Sequence, residues 1–218
     1  MKDAQIHDAI KILRRATREW RLPYVTEMAH TRRDPFRVLI STMLSLRTKD
    51  AVTEIASQKL SALADTPAKM LRLTQRQIEK AIYPVGFYRT KARSIRHVCE
   101  QLIDQYDSRV PAEIDELVKL PGVGRKTANL VLTLGYGKLG ICVDTHVHRI
   151  TNRWGYVETK DPEKTERALR EKLPQAYWIE INDELVALGQ NICHPTSPKC
   201  SQCPVEKFCD RVGVTRNR

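Results

Sequence analysis

The sequence predicts an all-α protein, and three observations support that class. Apolar residues recur at spacings of three and four along most of the 218 residues, no segment alternates apolar and polar residues convincingly, and short connections containing Pro or Gly separate the periodic segments. The apolar stretch 139–143 is too short to indicate a sheet. We therefore expect about ten helices and no sheet.

The predicted helices are justified in chain order by their apolar faces and their starts. The first covers residues 3–20, with Ile6, Ile10 and Leu13 on one face. Three later starts carry a capping signature: Asp34 before Pro35, Thr66 before Pro67, and Thr74 with Gln77 three positions on. Further helical patterns cover residues 89–106, 111–120, 125–134, 145–154, 162–173 and 178–192.

The chain is strongly basic. It has 37 Lys and Arg residues against 26 Asp and Glu, a formal net charge of +11. Such a charge favours a polyanionic partner, of which nucleic acid is the commonest, although a basic surface kept only for solubility is the alternative. No signal peptide or long apolar run is visible, so we expect a soluble, cytoplasmic protein without a membrane partner.

The C-terminal run CHPTSPKCSQCPVEKFC contains four cysteines with the spacing C-x6-C-x2-C-x5-C: Cys193, Cys200, Cys203 and Cys209. Thiols this dense on a Pro-rich loop indicate a metal site closed by four protein ligands. Structural zinc usually uses two C-x2-C pairs, so the wider gaps here favour an iron–sulfur cluster, with zinc still open. Cys99 and Cys142 remain as ordinary buried thiols.

The segment LPGVGRKTAN joins two helical patterns. Pro121 and Gly122 suit the central positions of a type II turn, and Gly122 and Gly124 leave backbone amides open to a phosphate group. A plain helix–helix turn is the alternative. Lys126 begins the next helix, where the helix dipole disfavours an ammonium group and so favours the neutral amine that a nucleophile requires.

The segment VDTHVHR places Asp144 just before another helical pattern. An aspartate there is most often an N-cap. Near an amine and a bound phosphate, its carboxylate also has the charge to stabilise a developing cation on a sugar. His146 and His148 are interpreted as packing or phosphate-contacting residues.

LPGVGRKTAN, then VDTHVHR, then the four-cysteine run at the C-terminus together resemble the endonuclease III family of DNA repair glycosylases, in the helix-hairpin-helix superfamily. The resemblance covers nearly the whole chain. It implies a six-helix domain with the helix-hairpin-helix over residues 28–138, and a second domain, formed by residues 1–27 and 139–218, that holds a 4Fe-4S cluster on the four cysteines. Double-stranded DNA would lie across a cleft between the domains, with Lys126 facing Asp144.

The resemblance also implies an activity in base excision repair. Lys126 would attack C1′ of a flipped, damaged nucleotide, Asp144 would assist, and the resulting Schiff base would cut the strand 3′ to the abasic site by β-elimination. Oxidised pyrimidines are the family's usual substrates. We expect a monomeric, bifunctional glycosylase and abasic-site lyase, associated with the nucleoid in the cytoplasm of a prokaryote.

Further residues are assigned to DNA by the same resemblance. Phe87, in GFYRTKA, falls where the family has an apolar wedge, although a core aromatic is the alternative. Arg47, in MLSLRTKD, replaces a glutamine of the best-known bacterial members, so opposite-base preference cannot be carried over. The DNA-contacting set is completed by Gly122, Gly124, Arg125 and His146.

Backbone carbonyls near Val118, Leu120 and Val123 are expected, by resemblance, to bind a monovalent cation. Two other functions stay open at this point. One is a monofunctional mismatch glycosylase in which Lys126 only contacts phosphate. The other is a non-catalytic DNA-binding module whose four cysteines hold zinc.

Overall fold

The computed structural model describes residues 1–218, which form twelve α-helices joined by short turns, with no strand. The all-α prediction is confirmed. The chain divides into two compact units: residues 24–140 form one, and residues 1–23 together with 141–218 form the other. None of the helices is both long and apolar enough to cross a membrane.

The unit 24–140 contains eight helices: α2 (Tyr24–Thr31), α3 (Pro35–Ser45), α4 (Asp50–Leu63), α5 (Pro67–Arg72), α6 (Gln75–Ile82), α7 (Tyr88–Tyr106), α8 (Ile114–Leu117) and α9 (Arg125–Leu130). Helix α3 is its centre, because every residue from Phe36 to Leu44 except Arg37 is buried. It packs against α4, α7 and α9. The residues that follow α3, and those at the start of α9, are therefore attached to a tightly packed part of the unit.

The three predicted capping signatures are confirmed. The Asp34 side chain accepts hydrogen bonds from the Phe36 and Arg37 amides at 3.1 Å each. The Thr66 hydroxyl accepts from the Lys69 amide, and Thr74 and Gln77 make both bonds of a capping box. Each cap contributes about 1 kcal/mol and sets where its helix begins.

Two predicted helices are shorter than their apolar patterns. The pattern over 111–120 contains only α8, and the pattern over 125–134 is α9 followed by a π-helical turn, Val131–Gly135. The Thr133 hydroxyl donates to the Asn129 carbonyl at 2.9 Å and to the Leu130 carbonyl at 3.4 Å, so it competes with the backbone donors of a regular helix. The spacing of apolar residues gives no sign of this competition.

The other unit contains α1 (Ile6–Thr17), α10 (Thr145–Arg153), α11 (Pro162–Lys172) and α12 (Ile181–Asn191). Its core joins the two ends of the sequence, since Ile10 and Leu13 of α1 are buried in the same cluster as Ile150 and Leu188. Helix α12 packs against both α1 and α10. Asp144 and the four cysteines all belong to this unit.

Candidate active site

The Pro-Gly turn between α8 and α9 has the predicted geometry. The Val123 amide donates to the Leu120 carbonyl at 3.1 Å, which closes a turn around Pro121 and Gly122. Gly122 has φ of +80°, the value that the third position of a type II turn requires. Gly122 and Gly124 are both exposed. The turn therefore presents backbone at the surface of its unit.

Lys126 is the second residue of α9 and is half-buried. The N-cap of this helix is Gly124, which has no side chain to accept from the first amides. Thr127, Ala128 and Asn129, which follow, are buried and fix the helix in the unit. The lysine stem therefore projects from a rigid helix start that no capping side chain covers.

Asp144 is the N-cap of α10, as its position predicts. One carboxylate oxygen, Oδ1, accepts from the His146 amide at 2.8 Å and from the Val147 amide at 2.9 Å. These two bonds orient the carboxylate, and Oδ2 carries neither of them. Asp144 and Lys126 lie in different units of the chain.

Arg47 and Phe87 are brought together, although they are 40 positions apart in the sequence. The Arg47 guanidinium carbon lies 5.7 Å from the centre of the Phe87 ring, a cation–π contact. Phe87 is 64% exposed, so the alternative of a core aromatic is wrong. Both residues have left-handed backbone, with φ of 53° and 56°. Such a conformation costs about 1–3 kcal/mol at a residue other than glycine, and it persists only where neighbouring contacts impose it.

Lys91, on α7, is a polar residue that sequence reasoning missed. Its ammonium group donates to the Leu44 carbonyl, the Leu46 carbonyl and the Thr48 hydroxyl. Burial lowers the pKa of Lys91 to about 8. One feature of the sequence could have pointed to it: Lys91 stands four residues before the buried Ile95, so it shares the apolar face of α7.

The histidines of α10 are held by other side chains of the same unit. His146 Nδ1 lies 3.1 Å from an Arg149 guanidinium nitrogen, and it packs so closely on Gly189 of α12 that a Cβ there would lie 2.2 Å away. His148 Nδ1 lies 2.7 Å from the Thr165 hydroxyl. Contacts within the unit thus orient both imidazole rings. Arg125 is half-buried, and its carbonyl accepts from the Asn129 side chain at 3.2 Å.

The cysteines of the C-terminal run line a single pocket. The pocket is partly open to solvent, and its lining includes Cys193, Cys200, Cys203 and Cys209 with apolar Trp154, Leu188, Ile192 and Val214. An Arg153 guanidinium nitrogen lies 3.2 Å from the Cys193 sulfur. As predicted, Cys99 and Cys142 are buried elsewhere as free thiols.

Comparison with known proteins identifies the family. The model of the HhH-GPD superfamily of base excision DNA repair proteins matches residues 40–175. Endonuclease III of Thermotoga maritima is 47% identical over 194 residues, which cover 87% of this chain and 91% of that protein. The chain belongs to the endonuclease III family.

Two solved structures extend the likeness to the fold. A trapped covalent endonuclease III–DNA intermediate with an estranged adenine is 32% identical, with a TM-score of 0.86 over 97% of each chain. A thermostable thymine-DNA glycosylase is 25% identical, with a TM-score of 0.81 over 95% of each chain. The resemblance stated from the motifs is thereby confirmed.

The cysteine pocket of this endonuclease III family member offers a set of thiol ligands for a metal. Four sulfur donors line it together with apolar side chains. Burial raises the pKa of Cys203 to about 11, so a metal that binds this sulfur must displace its proton. The donor set is the one expected for iron–sulfur chemistry.

Proposed function

We propose that this chain is a bifunctional DNA glycosylase that removes a damaged base, an oxidised pyrimidine in particular, and then cuts the strand as an abasic-site lyase. The observation that carries the proposal is the position of Lys126. It stands in the first turn of α9, half-buried, directly after a turn whose glycines are exposed, in a chain of the endonuclease III family. An amine in that place is attached to a rigid helix and lies next to a turn that a DNA strand can reach.

The proposed reaction begins with extrusion of the damaged nucleotide from the duplex, at a cost of a few kcal/mol (about 2–4). The Lys126 amine attacks C1′, and a nitrogen–carbon bond forms as the glycosidic bond breaks. The base leaves with the bonding electron pair and takes up a proton. The nitrogen then loses its proton, its lone pair forms the N–C1′ double bond as the C1′–O4′ bond breaks, and O4′ takes up a proton as the ring opens to a protonated imine.

The imine makes the C2′ proton acidic. When that proton is removed, its electron pair forms a C2′–C3′ double bond and expels the 3′ phosphate, which cuts the strand on that side of the lesion. Water then hydrolyses the imine and releases the lysine. One amine thus serves both the glycosylase step and the lyase step.

We assign Asp144 the stabilisation of positive charge on the sugar as the base departs. Its carboxylate is held in one orientation by the two amide bonds of the α10 cap, so no reorganisation is needed when charge develops. The capping role and the catalytic role use the same preorganised group.

We assign phosphate contacts to the exposed turn, through Gly122, Gly124 and Arg125, and a further DNA contact to His146. Carbonyls near Val118, Leu120 and Val123 are proposed to bind a monovalent cation. The Leu120 carbonyl already accepts from Val123, but a carbonyl oxygen has a second lone pair for a cation.

A 4Fe-4S cluster is proposed for Cys193, Cys200, Cys203 and Cys209. The shared pocket and its four sulfur donors suit a metal closed by four protein ligands, and membership of the endonuclease III family favours the cluster over a single zinc ion. When bound, the cluster would supply four metal–thiolate bonds that tie Cys200, Cys203 and Cys209 to Cys193, which follows α12. Protein that is brown and contains about four iron atoms per chain is the expected result.

Borohydride trapping tests the nucleophile. Wild type incubated with an abasic-site duplex and borohydride should form a stable adduct, because hydride reduces the imine to an amine. Lys126→Ala should form none while retaining most of its DNA affinity, and Lys59→Ala, which removes an exposed lysine of α4, should trap like wild type. Trapping by Lys126→Ala at the wild-type rate would refute the assignment.

The likeness to a thymine-DNA glycosylase supports a second candidate, a monofunctional mismatch glycosylase. In that case Lys126 would contact phosphate only. Wild type would then release base from a mismatched duplex, yet form no borohydride adduct with it. The same trapping experiment therefore separates the two candidates.

A further inference from the structure

The loops that carry Arg47 and Phe87 are packed backbone against backbone. A Cβ on Gly86 would lie 2.6 Å from the Arg47 carbonyl oxygen, so only glycine permits this approach without a shift. The Gly86 amide also donates to the Thr48 hydroxyl at 3.2 Å. The conformations of the two loops are therefore coupled.

The Lys91 side chain ties the first loop to the end of α3. Its Nζ lies 2.7 Å from the Leu44 carbonyl, 2.5 Å from the Leu46 carbonyl and 3.1 Å from the Thr48 hydroxyl. Carbonyls in the last turn of a helix lack helical partners and favour a nearby cation. An ammonium group has three hydrogens, and all three find an acceptor here.

The Lys91 backbone reaches the second loop. Its amide donates to the Phe87 carbonyl at 3.0 Å, which is the ordinary backbone bond of the first turn of α7 and does not depend on the side chain at position 91. The Lys91 side chain thus contacts the chain on both sides of Arg47, and the Arg47 carbonyl in turn packs on Gly86, the residue before Phe87. The Thr48 hydroxyl also donates to the Leu46 carbonyl at 3.3 Å, and the Lys91 side chain joins both groups to α7.

We infer that Lys91 is a positioning residue that holds Arg47 and Phe87 in the left-handed conformations from which they enter a duplex beside an extruded nucleotide. This inference rests on the proposed function. Free of the network, each residue would relax to a commoner backbone conformation and would have to be ordered again on binding. The loss should fall on the distorted DNA complex, not on general electrostatic binding.

The test compares affinities for two duplexes of one sequence, undamaged or carrying a tetrahydrofuran abasic analogue. Lys91→Met, nearly equal in volume, should lower the preference for the analogue by about tenfold, a loss typical of residues in one hydrogen-bond network. Lys59→Met, the matched exposed lysine, should leave that preference unchanged. An unchanged preference in Lys91→Met would overturn the inference.

A double-mutant cycle separates positioning from general loss of stability. In a variant that already carries Arg47→Ala and Phe87→Ala, adding Lys91→Met should change the preference by less than about twofold, because the residues it acts through are gone. An equal loss in both backgrounds would overturn the inference.

Lys91→Arg keeps the charge but not the geometry of three donors on one nitrogen, so we expect it to behave like Lys91→Met. Wild-type behaviour of Lys91→Arg would count against positioning.

Thr48 provides a second route if Lys91→Met folds poorly. Thr48→Val removes the hydroxyl that accepts from Lys91 and Gly86, whereas Thr48→Ser keeps it. The valine variant should lose preference for the analogue and the serine variant should keep it; equal behaviour would overturn the inference. Tetrahydrofuran has no aldehyde, so this binding measurement does not depend on Lys126. A failure of the proposed lysine chemistry would appear separately, as absence of the borohydride adduct in wild type.

Discussion

Gly86→Ala is the substitution for which the structure gives the clearest magnitude. The added Cβ would lie 2.6 Å from the Arg47 carbonyl oxygen and 3.4 Å from the Thr48 hydroxyl oxygen. Since ordinary contact begins near the second of these values, one loop must move by about 0.8 Å (3.4 − 2.6). The obstructing atom is backbone and cannot rotate away. Overpacking of this kind lowers the free energy of unfolding by about 1–3 kcal/mol.

Urea unfolding monitored by circular dichroism measures that loss. The matched control is Gly124→Ala, because a Cβ there meets no atom within 4 Å and its φ of −94° suits any residue. We expect the control to lose less than about 1 kcal/mol, the modest cost of alanine at an N-cap. Gly86→Ala should also lower the preference for a tetrahydrofuran duplex, through the displaced Arg47 loop. If Gly86→Ala is as stable as Gly124→Ala, the close approach of the two loops is wrong.

Three further predictions concern the turn, the aspartate and the cysteines. Gly122→Ala must adopt φ of +80° and should weaken binding to damaged and undamaged duplexes alike in fluorescence anisotropy; a change in lesion preference alone would contradict phosphate binding. Asp144→Asn should keep the melting temperature, because asparagine caps a helix as well as aspartate, yet slow single-turnover base release by about 100-fold; an unchanged rate would exclude a catalytic role. Cys203→Ala should give colourless, poorly soluble protein by absorbance and iron analysis, and an iron-free variant that folds and cuts normally would contradict it.

Much of the helical framework was predictable because its signals are local. Asp34, Thr66 and Thr74 each cap a helix through atoms within three residues, so the sequence places those starts correctly. The turn at Gly122 is equally local, since its φ and its hydrogen bond involve adjacent residues. The Thr133 hydroxyl, by contrast, selects among neighbouring carbonyls, and apolar periodicity contains no information about that choice.

The parts of the candidate site that escaped prediction depend on contacts distant in sequence. Lys91 binds carbonyls at Leu44 and Leu46, and a carbonyl is present at every residue, so no pattern of side chains marks these two. The contact of Arg47 with Phe87 likewise requires the loops to be placed by α3 and α7. Two residues assigned independently to DNA contact were therefore predictable one at a time, but their pairing was not.

The core that α1 shares with α12 affects how the chain folds as it is synthesised. Ile181, where α12 begins, follows Thr17, where α1 ends, by 164 positions (181 − 17). At about 5–20 residues per second, α1 leaves the ribosome roughly 8–33 s before its packing partner exists. The intervening residues 24–140 have their own core and can fold during that interval. The apolar face of α1, with Ile10 and Leu13, meanwhile lacks its α12 partner and is open to the cell's chaperones.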